Sequence, residues 1–349
     1  MLALAVLSLA IACSLIFTAE HMIGTLSEQN AVKRWSKDGG WAQVSCFFSA
    51  NAWMDQDAIL EFEHGLDSYL LENSIEPDAA KPGSRLWVDA YSEEGRITLS
   101  SERATLEADA LGVGGDFFLL HPQKLLYGSL FSGSDLNLDY CVIDEDAAWQ
   151  LFGSNDVAGM TVYISGVPHI VSGVIRRPDG RLIKAAGLDA TEVYVSCYCM
   201  EHYGTARGIN HYEILMIDPV KQFAYKYVKE KLGSDERETE IVENSARFSL
   251  LNRLKRFRDF GTRSMNGRAI IYPYWENLAR GYEDIVGTLT LFAVFFAIYP
   301  VIYIGWLFVD WKRHKGWTFK DVWGKIKDKV ERVREKRYYA NKEKRREDL

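Results

Sequence analysis

The chain has 349 residues, of which 48% are hydrophobic and 26% are charged, and its formal net charge is −7. Five cysteines in a chain of this length exclude a small secreted fold held together by disulfides. Two apolar stretches lie near the ends, and the roughly 250 residues between them are enough for a sizeable core, so we expect two subdomains there.

The first predicted element is an apolar helix, because residues 2–18 carry no charge. Three interpretations are open. A cleaved signal peptide would need a charged start, which is missing. A lipoprotein signal would modify Cys13, but Ala10 is a poor residue three positions before the modified cysteine. We favour a retained transmembrane helix that forms a span and a stalk over residues 1–24.

Strand and helix signals alternate through the first half of the central domain, which we place at residues 25–280. A short apolar run at 42–50 predicts a buried strand, and the apolar spacing over 55–71 predicts a helix capped by Asp55. Two further strands and the turn between them are predicted at residues 85–91, 96–100 and 93–95.

The second half of this domain is rich in strand signals. Branched and aromatic residues between Gly, Pro and Asp predict strands at 161–164, 169–175 and 192–199. Helical spacing predicts helices at residues 144–152, 219–232 and 243–260. This order indicates an α+β fold, in which a ferredoxin-like α/β part carries a β-rich subdomain over about residues 112–210.

A second transmembrane helix is predicted at residues 285–309, a run of 25 residues without a charge. At the helical rise this run is longer than the hydrocarbon core of a bilayer, so it spans with some tilt. We assign the stalk and span together to residues 281–310. Just before them, Glu276 and Arg280 have the i,i+4 spacing of a helical ion pair.

Lysine and arginine set the predicted orientation in the membrane. Residues 310–349 contain 15 Lys and Arg against 8 Asp and Glu, whereas residues 1–309 carry a net charge of −14. Because basic residues beside a span stay in the cytoplasm, we expect both termini inside a bacterial cytoplasmic membrane and the central domain outside the cytoplasm.

The basic tail, residues 311–349, is predicted to be helical and cytoplasmic. Its apolar residues recur at helical spacing, at Trp323, Ile326, Val330 and Val333. Two interpretations stay open: the tail docks on anionic lipid or a cytoplasmic partner, or it is a solvated segment that only fixes orientation. No nucleic-acid partner is expected, because the tail lies against a membrane and has no motif that reads bases.

Motifs for catalysis or cofactor binding are missing from the sequence. No P-loop, zinc-protease or nucleophile-elbow motif occurs, and Gly112-Val113-Gly114-Gly115 lacks the spacing of a dinucleotide fingerprint. We therefore expect a non-catalytic protein without a cofactor of its own.

One weak metal candidate is Cys197, Cys199 and His202, with Glu201 and His211 nearby. Thiolates and imidazoles bind zinc, but paired zinc cysteines usually have two or more residues between them. The alternative, which we favour, is that the two cysteines pack on one face of the strand predicted at 192–199.

A family resemblance rests on residues 140–175, YCVIDEDAAWQLFGSNDVAGMTVYISGVPHIVSGVI. The residues that carry the pattern are Asp144, Ala147, Leu151, Phe152, Gly153, Asp156, Gly159 and Gly173. The alanine and the Leu-Phe pair suit a short helix packed on a sheet, and the glycines suit its end and the following turn. The segment resembles the MacB-like periplasmic core domain of MacB/FtsX-type ABC transporter permeases, and all of these roles are structural.

The resemblance implies a permease-like subunit that relays ATPase-driven motion to its extracytoplasmic domain. The implied partners are a cytoplasmic ABC ATPase, which alone would bind ATP, a second permease chain or a homodimeric copy, and the lipid bilayer. Such permeases normally have four spans, and two are predicted here, so the other two would be absent or supplied by another chain.

Two other functions stay open. A membrane-anchored sensor or adaptor would bind a peptide or envelope component without ATP. A membrane-tethered enzyme is supported only by the Cys197, Cys199 and His202 candidate.

Overall fold

A computed structural model describes residues 1–36, 39–49, 51–52, 54–77, 83–133, 135, 137–206, 208–233, 238–256, 258, 260, 272–315, 323–324 and 326–334. The helices are α1 Leu2–Gly24, α2 Ala31–Trp35, α3 Gln56–Glu72, α4 Phe117–Leu120, α5 Glu145–Phe152, α6 Arg181–Ala186, α7 Cys197–Tyr203, α8 Phe223–Leu232, α9 Leu250–Arg256 and α10 Tyr274–His314. Short 3-10 helices occupy Glu28–Asn30 and Asn244–Ala246.

The strands are β1 Trp41–Phe48, β2 Trp87–Ser100, β3 Thr105–Gly115, β4 Leu125–Gly128, β5 Tyr140–Asp144, β6 Thr161–Ile164, β7 Val167–Ile175, β8 Glu192–Ser196, β9 His211–Ile217 and β10 Thr239–Glu243. They form one sheet in the order β10-β1-β9-β2-β3-β8-β5-β7-β4, and β6 pairs with β2 and β7. The β3–β8 and β5–β7 pairs are parallel, and the other pairs are antiparallel. The predicted mixture of helix and strand is confirmed.

Helices cover the sheet through three clusters of buried side chains. The first cluster packs α5 and α7 on the strands near β5, the second packs α3 and α8 near β1, and the third packs α2, α4 and the start of α10. Successive residues of β9 serve different clusters: Ile214 and Met216 belong to the second, whereas Leu215 belongs to the third. This alternation follows from the two-residue period of a strand, so β9 is buried on both faces.

Two predicted helices are capped by aspartates, and the cap at Asp55 is the one that the sequence indicates. The Asp55 side chain accepts a hydrogen bond from Ala58 N and begins α3, and the Asp144 side chain accepts one from Ala147 N and begins α5. Gly153 ends α5 in the left-handed conformation, with φ +72°. This positive φ favours glycine at the end of α5, whereas the Arg103 side chain beside Gly153 is flexible enough to move away from a Cβ.

The turn predicted at residues 93–95 is wrong. Strand β2 is continuous and pairs with β3 from Ala90, opposite Gly115, to Ser100, opposite Thr105. Glu93 is buried opposite Gly112, and a Cβ on Gly112 would lie only 2.8 Å from Glu93 Cγ. The charge that suggested a turn is thus accommodated inside the sheet, because the glycine opposite leaves room for it.

Two other predicted elements have different boundaries. The strand predicted at 192–199 ends at Ser196, whose side chain accepts a hydrogen bond from Cys199 N and begins α7. The helix predicted at 243–260 is interrupted, because strand pairing with β1 continues to Glu243 and regular helix starts only at Leu250. The helix predicted at 219–232 begins later, at Phe223.

The chain forms two compact units, Leu15–Leu291 and Met1–Ser14 with Phe292–Leu349. In the second unit, Ser8 Oγ donates a hydrogen bond to Phe296 O at 2.5 Å. Apolar side chains of its helices are mostly exposed, for example Phe295 at 66%. Among the described residues, α1 and α10 are the two helices that are long and apolar enough to cross a membrane, in agreement with the predicted spans.

Candidate functional site: a buried charged junction at the start of α10

Charged residues are buried on one face of the first turns of α10. Glu276, Arg280 and Glu283 are each at most 4% exposed. Their i, i+4 and i+7 spacing places them on the same side of the helix. They meet Arg247, which directly follows the 3-10 helix Asn244–Ala246 and is 3% exposed. We call this group, together with Gln29, the Arg247 junction.

Arg247 binds two glutamates of α10 at once. Its Nη1 and Nη2 donate to the two carboxylate oxygens of Glu276 at 2.6 and 2.8 Å, and its Nε donates to Glu283 Oε1 at 2.7 Å. Burial by itself would lower the pKa of Arg247, but Glu276 and Glu283 raise it above its usual value. The guanidinium therefore stays charged, and the two-pronged geometry fixes its orientation.

Arg280 extends the junction towards the sheet edge. Its Nε donates to Glu276 Oε1 at 2.7 Å, which confirms the predicted i,i+4 pair, and its Nη2 donates to Glu240 Oε1 of β10 at 2.8 Å. The guanidinium carbon lies 3.8 Å from the centroid of the Tyr272 ring. The Tyr272 hydroxyl in turn donates to Glu240. Arg280 is thus held by charge on two sides and by an aromatic face.

The junction joins three segments that are distant in sequence. Arg247 Nη1 also donates to Gln29 Oε1 at 3.2 Å, so the 3-10 helix that follows α1 is bonded to the same guanidinium as α10. The two arginines balance Glu276 and Glu283, while Glu240 at the rim has a side chain that is 43% exposed. Buried ions in this arrangement are compensated, and removal of one partner leaves another charge stranded.

Apolar contacts beside the junction bring α1 against α10. Ala19 and Ile23 of α1 form a cluster with Val286 of α10, and Phe248 packs against them. Near this cluster, Arg253 of α9 donates to Glu20 Oε1 of α1 at 2.6 Å. The C-terminal part of α1 and the first turns of α10 therefore pack against each other. Arg280 in turn bonds α10 to Glu240 at the edge of the sheet.

A second polar cluster lies below α4 and consists of His121, His211 and Glu213. Burial lowers the pKa of His211 to about 3. Burial opposes ionisation of Glu213, but His121, His211 and Gln43 lower its pKa to about 2. Among the described residues, these three are the group of His, Cys, Asp and Glu whose side chains lie close enough to hold a metal ion.

The metal candidate indicated by the sequence, Cys197, Cys199 and His202, does not form a common site, because its side chains have different partners. Cys199 Sγ lies 3.3 Å from His169 Nε2, whereas the exposed His202 bonds through Nδ1 to Tyr198 O. Cys197 is buried, and burial together with Glu93 raises the pKa of its thiol well above its usual value. The expectation that both cysteines share a strand face is also wrong, because they lie in α7.

The family-pattern residues of segment 144–173 are brought together around α5. Ala147 and Leu151 are fully buried, and Phe152 packs against the same cluster. Besides capping α5 through one carboxylate oxygen, Asp144 accepts a hydrogen bond from Glu192 N at 3.1 Å through the other. Asp156 is exposed, Gly159 has φ +85°, and a Cβ at Gly173 would lie 2.6 Å from Ser129 O. All of these contacts are structural.

An acidic cavity of about 720 Å³ opens beside α3 and β2. Its lining includes Glu63, Asp89, Arg85 and the edge of Trp87. Burial and the neighbouring Glu63 raise the pKa of Asp89 to about 8. A carboxyl group in this cavity is therefore protonated near neutral pH, which allows it to donate a hydrogen bond.

Sequence reasoning found one pair of the junction and missed the rest. Glu276 and Arg280 were visible as an i,i+4 pair, but Arg247 and Gln29 reach the site only through the tertiary fold. One sequence feature that could have indicated a buried charged site is Glu283, which continues the helical face of Glu276 and Arg280 just before an apolar span.

Taken together, two membrane-length helices, a large mixed sheet and a buried charged junction between them define a membrane-anchored protein with a large folded domain outside the bilayer. The family model that matches, over residues 2–226, is the MacB-like periplasmic core domain, and the chain belongs to that family. The resemblance read from residues 140–175 is confirmed.

Two curated relatives are the macrolide export ATP-binding/permease protein MacB of Chromobacterium violaceum and that of Pasteurella multocida. The first is 33% identical over 76 residues, which cover 21% of this chain and 12% of the relative. The second is 27% identical over 158 residues, which cover 40% of this chain and 24% of the relative. The chain thus matches no more than about a quarter of the length of these relatives.

Two solved structures are similar at a TM-score of 0.38. One is the extracellular domain of the noncanonical ABC-type transporter YknZ from Gram-positive bacteria, with 14% identity over 57% of this chain and 99% of that one. The other is the periplasmic region of MacB from Actinobacillus actinomycetemcomitans, with 15% identity over 58% of this chain and 89% of that one.

Proposed function

We propose that this protein is a permease-type subunit of a bacterial ABC transport system that transmits motion between its membrane helices and its extracytoplasmic domain. In this proposal a separate cytoplasmic ATPase binds and hydrolyses ATP. The chain itself carries out no catalysis, and it works with a second permease chain or a second copy of itself.

The Arg247 junction is the observation that carries this proposal. It bonds the segment after α1 and the first turns of α10 to one buried guanidinium beside the sheet edge. A displacement of either helix would move Arg247, and breaking its paired contacts would strand buried charge. Motion of the helices would therefore be passed to the sheet rather than absorbed locally.

Charge supports the proposed orientation. The 15 Lys and Arg of residues 310–349 favour a cytoplasmic C-terminus, where an ATPase would lie, and the acidic remainder would lie outside. In this arrangement the basic tail either contacts the ATPase or lies on anionic lipid.

Disulfide trapping between the two helices tests the relay. Ala19→Cys and Val286→Cys, introduced together with Cys13→Ser, place thiols in the contact between α1 and α10. In native membranes of the host we expect the rate of cross-linking to change when ATP is replaced by a non-hydrolysable analogue. The matched control is the exposed cross-strand pair Thr98→Cys and Glu107→Cys, whose rate should be independent of nucleotide.

Affinity purification from mild detergent tests the partners. We expect the tagged full-length chain to retain an ABC ATPase, and removal of residues 324–349 to reduce its recovery. The relay proposal is wrong if no ATPase is recovered and the cross-linking rate between Ala19→Cys and Val286→Cys is the same with ATP and with its non-hydrolysable analogue.

A second candidate function, a sensor or adaptor that binds an envelope component, is favoured by the acidic cavity of about 720 Å³. It predicts that a basic ligand protects Trp87 from fluorescence quenching. Asp89→Ala should weaken that protection, whereas nucleotide should not affect it.

A further inference from the structure

His121, His211 and Glu213 meet from two different parts of the chain. His121 directly follows α4, and the other two residues lie two apart on β9. Residues two apart on a strand point to the same face, so the fold aims both β9 side chains at His121. The three residues are 2%, 0% and 1% exposed, and this cluster is therefore closed to bulk solvent.

The potential ligand atoms of this group converge. One ligand atom from each residue lies within 4.8 Å of the other two. His121 Nε2 lies 2.9 Å from Glu213 Oε2. In the described part of the chain, neither of these atoms makes a hydrogen bond of normal geometry, and the same is true of His211 Nε2. His121 Nε2 and Glu213 Oε2 thus contact each other only at ion-pair distance, and His211 Nε2 faces them without the hydrogen-bond partner that a buried polar atom normally has.

The surrounding hydrogen bonds orient Glu213. Its Oε1 accepts from Gln43 Nε2 at 2.7 Å, from Ser45 Oγ at 2.8 Å and from Asn244 Nδ2 at 3.1 Å. These three donors hold the carboxylate in one orientation and direct Oε2 at the histidines. Carboxylates that bind metals are commonly held by outer hydrogen bonds in this way.

The histidine rings are held as well. His211 Nδ1 lies 3.4 Å from Ser92 Oγ, which leaves Nε2 directed at the cluster. Phe117 stacks on the His121 ring at 4.5 Å, and Phe47 stacks on the His211 ring at 5.2 Å. Trp275 of α10 lies 4.7 Å from His121 and covers the cluster. These apolar walls keep out other hydrogen-bonding partners.

We propose that His121, His211 and Glu213 form a binding site for a divalent transition metal ion, with Zn²⁺ as the best match. Two imidazoles and one carboxylate are a donor set that zinc accepts, and Mg²⁺ and Ca²⁺ prefer sites made of oxygen alone. Zn–N bonds of about 2.0–2.1 Å separate tetrahedral ligand atoms by roughly 3.3 Å. The widest pair of ligand atoms would therefore draw together on binding, and a fourth position would remain for a small ligand such as water.

The position of the site gives it a structural consequence. The metal would tie the α4 turn to β9 beside Trp275. Trp275 is the residue immediately before Glu276, the first α10 residue of the Arg247 junction. Bound metal would hold the start of α10 in place, and its loss would loosen it.

Metal analysis of the full-length protein in detergent tests the site. After removal of bound metal with a chelator, titration with Zn²⁺ alone should give one ion per chain and raise the Tm. Mg²⁺ at the same concentration should give no shift. Co²⁺ should give the visible absorption of a low-symmetry site with nitrogen ligands.

Three variants separate metal binding from folding. Glu213→Gln keeps an amide oxygen for Gln43, Ser45 and Asn244 but removes the charged ligand, and it should weaken Zn²⁺ binding by at least about 100-fold. His211→Gln should do the same, whereas the exposed His202→Gln should bind as tightly as the wild type.

The competing account is an ion pair between His121 and Glu213 without metal. It predicts no stoichiometric Zn²⁺ and no change in Tm with Zn²⁺ in the wild-type protein, and either result overturns the proposal. Zn²⁺ binding that is unchanged in both Glu213→Gln and His211→Gln would overturn it too.

Discussion

The two ends of the sheet are stabilised by different chemistry. Near β5 and β7, α5 packs through fully buried apolar side chains such as Leu151, and its ends are capped by neighbouring residues. Near β10, the Arg247 junction uses buried ion pairs between residues that are far apart in sequence. The family pattern lies in the first region, whereas the contacts that link the membrane helices to the sheet lie in the second. The segment that identifies the family therefore has a structural role and does not contain the contacts that link the membrane helices to the sheet.

This difference also concerns how each region responds to change. Where contacts are apolar, the free energy of unfolding falls in steps that follow how much of a side chain is removed. A buried ion pair instead loses one partner and leaves the other charge without compensation. We expect the β5 end to tolerate conservative substitutions and the Arg247 junction to tolerate almost none.

The largest effect is expected for Leu151→Asp at the apolar end. The substitution places an unpaired carboxylate in a core where Leu151 is 0% exposed, which should cost about 4 kcal/mol or more. Thermal unfolding of the full-length protein in detergent measures the loss. The control is Trp149→Asp in the same helix, where the side chain is 64% exposed and the change should be within about 0.5 kcal/mol. Equal effects of the two variants would contradict the placement of α5.

Arg247→Met should rank second, with a loss of about 3–5 kcal/mol, because it removes the buried guanidinium that bonds both Glu276 and Glu283 and leaves their negative charge under-compensated. Chemical denaturation measures this loss. Arg96→Met, which removes an exposed pair with Asp109, should cost less than about 1 kcal/mol. Adding Glu283→Gln to Arg247→Met should restore part of the stability, and a further loss would argue against charge stranding as the cause.

Removing a cap should have a moderate effect. Asp144→Ala loses the bonds from Ala147 N and Glu192 N, so we expect a cost of about 1–2 kcal/mol. Asp55→Ala loses the single cap bond from Ala58 N at an exposed site and should cost about 1 kcal/mol. Urea unfolding of both variants compares them, and a larger loss for Asp55→Ala would show that the second bond of Asp144 contributes nothing.

Separately from these losses at one fixed pH, the free energy of unfolding should itself depend on pH. Because the folded pKa of Asp89 is about 8, the folded protein keeps a proton that the unfolded chain releases above about pH 4. The contribution of Asp89 is thus fully present below about pH 4 and is lost as the pH rises towards about 8, by at most about 1.4 kcal/mol per pH unit. Asp89→Asn should flatten the dependence of unfolding free energy on pH between 5 and 8. The exposed Asp57→Asn should leave this dependence unchanged.

Local signals explain what the sequence predicts correctly. The caps of α3 and α5 act within three residues, and apolar spacing acts within one helix, so both are readable without the fold. The Glu276–Arg280 pair was predicted for the same reason. Residues 140–175 combine several such local signals, and this explains why the resemblance to the family is strongest there.

Tertiary contacts explain the failures. The helix predicted at 243–260 is displaced because Thr239–Glu243 pairs with β1, and no local pattern reports that pairing. The turn predicted at 93–95 overlooked Gly112, which lies across the sheet from Glu93. Likewise, Gln29 and Arg247 are 218 residues apart in sequence and meet only in the folded structure, so the junction was not visible in the sequence.

Strand β2 has a consequence for how the protein unfolds. It is 14 residues long and pairs with β3 along most of its length, while its first half also pairs with β9 and Leu99 and Ser100 near its other end pair with β6. One continuous backbone in the middle of the sheet therefore links β9 and β6 on one side with β3 on the other. Melting either side would remove hydrogen bonds from the same strand, so the extracytoplasmic domain should lose its structure in a single cooperative transition. Amide hydrogens of Ala90 and Leu99 should then exchange with solvent through the same opening event.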